Sequence, residues 1–227
     1  MMKKIVLLLA FAGITVIAGA QNTKVGFFAL EKPWKSGKPV QSAWDFLSAT
    51  EFIDAKYLPE KRFKKLEKYD VVWLHITDTT LADKHFEKES LDRLRAYVEN
   101  GGNLLLSRQA FHLIYKLGLE PKNTETFIKQ ATDNGYGRML GFHAFRHHPV
   151  FQGLNGGAYV VKPSGDIRVR NHGFFEDRVP ENGKVVATDW DYIFLRENKK
   201  LVLEYEFGKG KVLAVGEIGL DYYRDLS

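Results

Sequence analysis

The apolar residues of this chain gather in short unbroken runs, separated by stretches in which they recur at helical spacing. Thr23–Leu30 (TKVGFFAL) and Asp70–Ile76 (DVVWLHI) are rich in β-branched and aromatic residues, as strands buried on both faces are. Asn103–Leu106 is a third such run, and Glu51–Leu58 is a shorter strand. Between them, Val40–Thr50 carries Trp44, Phe46 and Leu47 at roughly helical spacing. Lys88–Asn100 sets Leu91, Leu94, Tyr97 and Val98 on one face, and Gly101-Gly102 supplies the left-handed geometry that ends it. Pro59 opens a helix to Tyr69 as a first-turn proline, and Ala110–Leu117 is the next helix, stopped at Gly118. Lys32–Pro39 reads as a loop. Strands alternating with helices predict a parallel three-layer α/β domain.

The second half changes character. Ala158–Lys162, Val185–Asp189, Ile193–Arg196, Leu201–Phe207 and Lys211–Glu217 read as strands, with Arg168–Gly173 irregular. Leu201–Ile218 is a hairpin turned at Gly208-Lys209-Gly210, and its second strand is apolar enough to return to the central sheet. A closing helix is expected after Glu217, but the chain stops at Ser227. The domain is therefore either short at this end or truncated.

Residues 1–20 follow a different logic. Lys3 and Lys4 precede an apolar Ile5–Ile17 and a small-residue Ala18-Gly19-Ala20, the plan of a cleaved signal peptide. The run is short for a membrane span, which needs roughly 20 residues. No cysteine follows it, so a lipoprotein anchor is excluded. The expected mature chain, 21–227, is periplasmic or secreted, with no stable membrane span. With 44% hydrophobic residues it can bury one core, and one domain is the expected count. The absence of cysteine removes disulfides, thiol nucleophiles and thiolate metal sites together. The formal charge of +5 is scattered, with no basic stripe interleaved with aromatics, so nucleic acid is not an expected partner.

Three stretches arrive in a telling order: KLEKYDVVWLH, LRAYVENGGNLLLS and YEFGKGKVLAVGE. Over Thr23 to Glu217 they resemble the class I glutamine amidotransferase-like superfamily. The likeness is to its non-amidotransferase branches: trehalose-utilisation-type domains, β-galactosidase trimerisation-type domains and exported domains of bacterial carbohydrate-utilisation loci. The resemblance implies a flavodoxin-like α/β/α fold with a mostly parallel sheet and a β-rich second half. It also implies a nucleophile elbow after the double-glycine strand. Here Arg108 stands where the thiol belongs, Ser107 is one residue early, and Ala110 replaces the expected glycine. No H-x-E pair follows the late strands. Amidotransferase chemistry by that route is excluded, because a guanidinium is not a nucleophile.

In parallel sheets, ligands bind beyond the carboxyl ends of the strands. That rule selects Glu31, Thr77, Asp78, Ser107, Arg108 and Gln109 as the candidate lining. Arg108 with Gln109 suits a carboxylate or sugar hydroxyls. The structural alternative has Arg108 tying loops together through Asp78 or Glu31, with Ser107 and Thr77 capping helices. A serine hydrolase would need Ser107, Asp78 and His112 or His143, but the G-x-S-x-G motif is missing. His143 and His147 are four apart and are weak metal candidates; His148, before Pro149, reads as structural. Trp190, between Asp189 and Asp191, is a sugar-stacking candidate, and Trp34 and Tyr192 can add aromatic surface. His75, inside an apolar strand, reads as a satisfied core histidine. Asp78, Glu217 and His143 are the candidate catalytic groups, and no cofactor is expected.

The leading expectation is an exported amidotransferase-like domain serving carbohydrate utilisation as a binding or assembly module. A carbohydrate-processing hydrolase or isomerase with a carboxylate/His site is the first alternative. A subunit-interface domain of a larger glycosidase is the second. The partners these readings imply are a carbohydrate ligand, a second copy of the chain, or a larger chain.

Overall fold

The computed structural model describes residues 22–77, 86–121, 131–132, 148–149, 170–171, 173–175, 178–191 and 196–216. Strands β1 (Thr23–Phe28), β2 (Ile53–Tyr57), β3 (Val71–Ile76), β4 (Asn103–Arg108), β7 (Lys184–Asp191), β8 (Arg196–Phe207) and β9 (Gly210–Val215) form one sheet in the order β2-β1-β3-β4-β9-β8-β7. β2, β1, β3, β4 and β9 are parallel. β8 and β7 extend the sheet antiparallel. With β9 in fifth place this is the flavodoxin-like order, so the predicted fold class holds. Two-residue strands β5 (Ala131–Thr132) and β6 (Arg170–Asn171) pair separately, where an irregular segment was expected.

Alternation along each parallel strand divides the core. Val25, Phe27, Val71, Trp73, Leu105 and Leu213 lie beneath helix α1 (Lys38–Ser48), which buries Val40, Ala43 and Leu47 at helical spacing. Val72, Leu74, Ile76, Leu104, Leu106 and Val212 face helix α2 (Lys88–Glu99), through Leu94 and Val98. Both faces are covered, which is why these strands read as unbroken apolar runs.

Several boundaries differ from the sequence reading, each for a physical reason. Glu60–Lys68 is 3-10 helix with a break at Lys65, not a regular α-helix. Its buried residues, Phe63 and Leu66, lie on either side of that break, one in each short section. Ala110–Leu117 likewise divides into a 3-10 turn, Gln109–His112, and a single α-turn, Leu113–Lys116. The Lys32–Pro39 loop contains a 3-10 turn at Pro33–Lys35 and the start of α1, with Pro39 in its first turn. β8 runs unbroken from Arg196, because antiparallel pairing with β7 orders its polar start.

The three stretches that carried the resemblance meet at the amino edge of the sheet. α2 ends on Gly101 (φ 108), with the Gly101 and Gly102 amides donating to the Val98 and Tyr97 carbonyls at 2.9 Å each. The Gly208–Gly210 turn abuts this end, and Lys209 N–H donates to Glu99 O at 3.0 Å. A Cβ on Gly210 would stand 2.1 Å from Gly102 O, so only glycine fits. Tyr97 donates its hydroxyl to Tyr69 O at 3.1 Å, and the Asp70 carboxylate accepts from Lys24 N–H at 2.8 Å. These motifs build the frame.

The second half is fastened to the first through Glu120, which is 2% exposed. Its carboxylate accepts the backbone N–H groups of Glu181, Asn182 and Gly183 at 3.0, 3.1 and 2.9 Å. Asn182 also donates its side-chain amide to Leu119 O at 2.9 Å. This nest of amides at the entry to β7 holds an internal anion. Among the described residues, no helix is long and apolar enough to cross a membrane.

Candidate functional site

At the carboxyl end of β4 the chain turns through Arg108 at φ 56, ψ −122, the one described non-glycine residue with positive φ. A strained strand-to-helix corner of this kind is how α/β enzymes present a nucleophile. The backbone plan is therefore intact and the residue at its apex is wrong for attack. The corner is also closed: Ser107, Arg108 and Gln109 are 0%, 8% and 1% exposed.

The second half packs beside it. Phe174 and Phe175 are buried, one in each half of the core. Phe175 and Lys200 exchange backbone hydrogen bonds at 3.2 and 2.8 Å. Gly173 is pressed between the end of β9 and the turn after the corner. A Cβ on Gly216 would lie 1.6 Å from Gly173 O, and a Cβ on Gly173 would lie 2.6 Å from the Phe111 ring.

Ser107 does not cap the following turn, as one reading of the sequence had it. Its hydroxyl points into the α1 side of the sheet. Trp73 Nε1–H donates to Ser107 Oγ at 2.7 Å, and Oγ lies 2.7 Å from His75 Nδ1 and 3.4 Å from Leu74 O. An indole N–H only donates, so Oγ accepts from Trp73 and has one proton to give. The Oγ–Nδ1 contact is a hydrogen bond whose direction follows the imidazole tautomer. His75 is the register partner of Ser107 on β3 and is 1% exposed, the satisfied core histidine predicted for it. A serine–histidine pair at this distance has the geometry of an activated nucleophile. Here one lone pair is committed to Trp73 and no described surface reaches Oγ. The pair holds strands together.

An aromatic seam runs outward from this pair. Ring centroids separate His75 from Phe27 by 6.0 Å, Phe27 from Trp44 by 5.7 Å, and Trp44 from Trp34 by 6.4 Å. Trp34 lies in the β1–α1 connection, 56% exposed, with Tyr57 from the end of β2 edge-on at 5.6 Å. The Tyr57 hydroxyl donates to Ala29 O at 3.4 Å, and burial raises its pKa, keeping it a neutral donor. Glu31, beside this shelf in sequence, is exposed, and Thr77 at the end of β3 is half-buried. β1 and β3 flank the point where strand order reverses, the usual ligand position in this fold. The shelf was not legible as a unit in the sequence, because its rings come from three separate elements.

Among the described candidates, Trp190 and His148 do not join this group. Trp190 is on β7, at the far edge of the sheet, paired with Glu197. Five strand spacings of about 4.8 Å put that edge about 24 Å from β1. His148 lies 3.1 Å from the Glu204 carboxylate on β8, a structural contact. Asp78, Glu217, His143, His147 and the 1–20 leader lie outside the described residues, as does the Ala158–Lys162 strand. Among the described residues, no group of three potential ligands is placed to hold a metal. An open groove of about 860 Å³, lined in part by Lys64, Glu67, Asp70 and Arg93, lies at the opposite, amino edge of the sheet.

No family model matches the chain, and no curated protein matches it in sequence. Solved structures do resemble it. A ThuA-like protein from Bacteroides uniformis is 15% identical with a TM-score of 0.54, over 93% of this chain and 89% of that one. A β-galactosidase from Rahnella sp. R3 is 14% identical with a TM-score of 0.50, over 91% of this chain. The match spans 31% of that enzyme's length. A cytoplasmic protein from Salmonella typhimurium is 15% identical with a TM-score of 0.48, over 86% of this chain and 87% of that one. At these identities the likeness is one of fold.

Proposed function

We propose that this chain is an exported, non-catalytic member of the glutamine amidotransferase-like group that serves carbohydrate utilisation as a binding or assembly module. The observation that carries the non-catalytic part is Arg108, which occupies a nucleophile-type corner at φ 56, ψ −122 and is 8% exposed. A site without a nucleophile and without room for substrate does not perform acyl transfer. The carbohydrate part draws on the sequence resemblance, and on the names of the ThuA-like protein and the β-galactosidase that share the fold. Binding is assigned to the carboxyl edge near β1 and β3, where Glu31, Thr77 and the Trp34 shelf are accessible.

The test is a glycan array probed with residues 21–227, beside assays for ammonia release from glutamine and for cleavage of nitrophenyl glycosides. Retention of a defined glycan class with no turnover is the expected result. Turnover of either substrate overturns the non-catalytic reading, and failure to retain any glycan overturns the carbohydrate one.

A further inference from the structure

Among the described residues, Trp34, Phe52 and Val179 are the large exposed hydrophobics. Phe52 precedes β2 and Val179 precedes β7, whereas Trp34 follows β1 at its carboxyl end. Trp34 is also braced, with Trp44 tilted against it at 65° and Tyr57 at 71°. A ring held this way offers flat apolar area with little left to lose in conformational entropy, which is how rigid aromatics contribute to binding. Its indole N–H is a ready donor at the rim.

The surrounding charge narrows the ligand. The loop reads Glu31-Lys32-Pro33-Trp34-Lys35-Ser36-Gly37, two cations against one anion. Lys32 and Lys35 are exposed, and Lys32 Nζ stands 5.9 Å from the Trp34 ring centroid. That ammonium stands over the ring face, and as a mobile point charge on a flexible stem it can swing aside to meet a carboxylate carried by a stacked group. A basic shelf with one exposed ring, beside a strand-order reversal, suits one small ring bearing a negative charge.

We propose that Trp34 stacks a pyranose ring of an acidic saccharide, a uronic acid unit, with Lys32 and Lys35 meeting its carboxylate. This inference rests on the carbohydrate-binding reading and gives it a place and a ligand class.

The experiment titrates residues 21–227 with tri-galacturonate, with a neutral galactose trisaccharide and with an eight-residue oligothymidine, following tryptophan fluorescence and calorimetric heat. Four proteins are compared: the parent chain, Trp34→Ala, Trp34→Phe, and Lys32→Glu with Lys35→Glu. Expected is binding of tri-galacturonate that weakens at least tenfold in Trp34→Ala and in the double charge reversal. Trp34→Phe should retain most of it, and raising salt from 50 to 500 mM should weaken it. Because Trp34 and both lysines are exposed, all variants should melt within a few degrees of the parent.

Equal affinity for the neutral trisaccharide removes the acidic-sugar assignment and leaves carbohydrate binding standing. Tri-galacturonate binding that survives Trp34→Ala removes the shelf and again leaves carbohydrate binding standing. Oligothymidine binding sensitive to Trp34→Ala reassigns the shelf to base stacking. If no saccharide binds at all, here or on the array, both readings fall.

Discussion

Replacing Arg108 by alanine and by glycine separates the strain in its backbone from everything its side chain does. Both variants delete the same buried guanidinium and leave the same space, so those losses cancel in the comparison. What remains is the cost of holding a Cβ at φ 56, ψ −122. Strain of that kind costs about 1–3 kcal/mol, against which glycine loses about 0.5–1 kcal/mol more chain entropy than alanine on folding. The net expectation is that Arg108→Gly is more stable than Arg108→Ala by about 1 kcal/mol, within roughly 0–2.5. For a chain of this size that is about 2–4 °C in Tm per kcal/mol. Urea denaturation of the two variants gives the free energies, and matching m-values secure the comparison. Ala96→Gly, on the exposed face of α2, is the control and should be destabilising by about 1 kcal/mol. An Arg108→Ala protein more stable than Arg108→Gly would falsify the strained-corner reading.

Four further outcomes follow from the same contacts. Arg108→Cys, which restores a thiol at the corner apex, should react with a disulfide reagent only as the protein unfolds and should release no ammonia from glutamine. A thiol that titrates at once in the native protein would show the corner to be open. Glu120→Ala leaves three backbone amides without their acceptor and should cost about 3 kcal/mol in chemical denaturation, with Glu120→Gln closer to the parent. Ser107→Ala strands the Trp73 indole and His75 and should cost about 1–3 kcal/mol; a neutral effect would mean the pair contributes nothing. Burial raises the pKa of Tyr97 well above its ordinary 10.0. Because its neutral form is favoured in the fold, that contribution is complete below about pH 10 and is lost above it. Tyr97→Phe should therefore flatten the alkaline limb of the stability profile, and an unchanged limb would exclude Tyr97 as its source.

How much of this could be read from the sequence depends on what each feature needs. β1, β3 and β4 announce themselves because a strand covered on both faces has no polar phase to interrupt it. Gly208-Lys209-Gly210 announces a hairpin because its backbone needs glycine, with φ 62 at Gly208. The polar start of β8, Arg196–Lys200, is ordered by its partner strand and leaves no pattern of its own. Spacing of three between Phe63 and Leu66 fits an α-helix and a 3-10 turn equally, so the choice was invisible. The Ser107–His75 pair depends on parallel register between strands far apart in sequence. One signal was available for the histidine: His75 is the lone polar residue within an apolar run. The Gly173–Phe175 segment left none, since no local pattern says which distant turn a Phe-Phe step will pack beside.

The closed corner explains how a strained backbone persists without a reactive residue to justify it. Strain survives only where its surroundings over-determine it. Here the constraint comes from several directions: Arg108 is the register partner of Ile76 in the parallel ladder, Phe111 is fully buried one turn on, and Gly173 is packed against that ring. Relaxing Arg108 would shift the end of β4, unseat Phe111 and break the fit of Gly173 against Gly216. The corner has therefore become part of the core, and its geometry is maintained by packing alone. Accessible chemistry moves outward along the aromatic seam, from His75 through Phe27 and Trp44 to Trp34. The accessible aromatic surface therefore lies at the same edge of the sheet as the buried apex, and not at the apex itself.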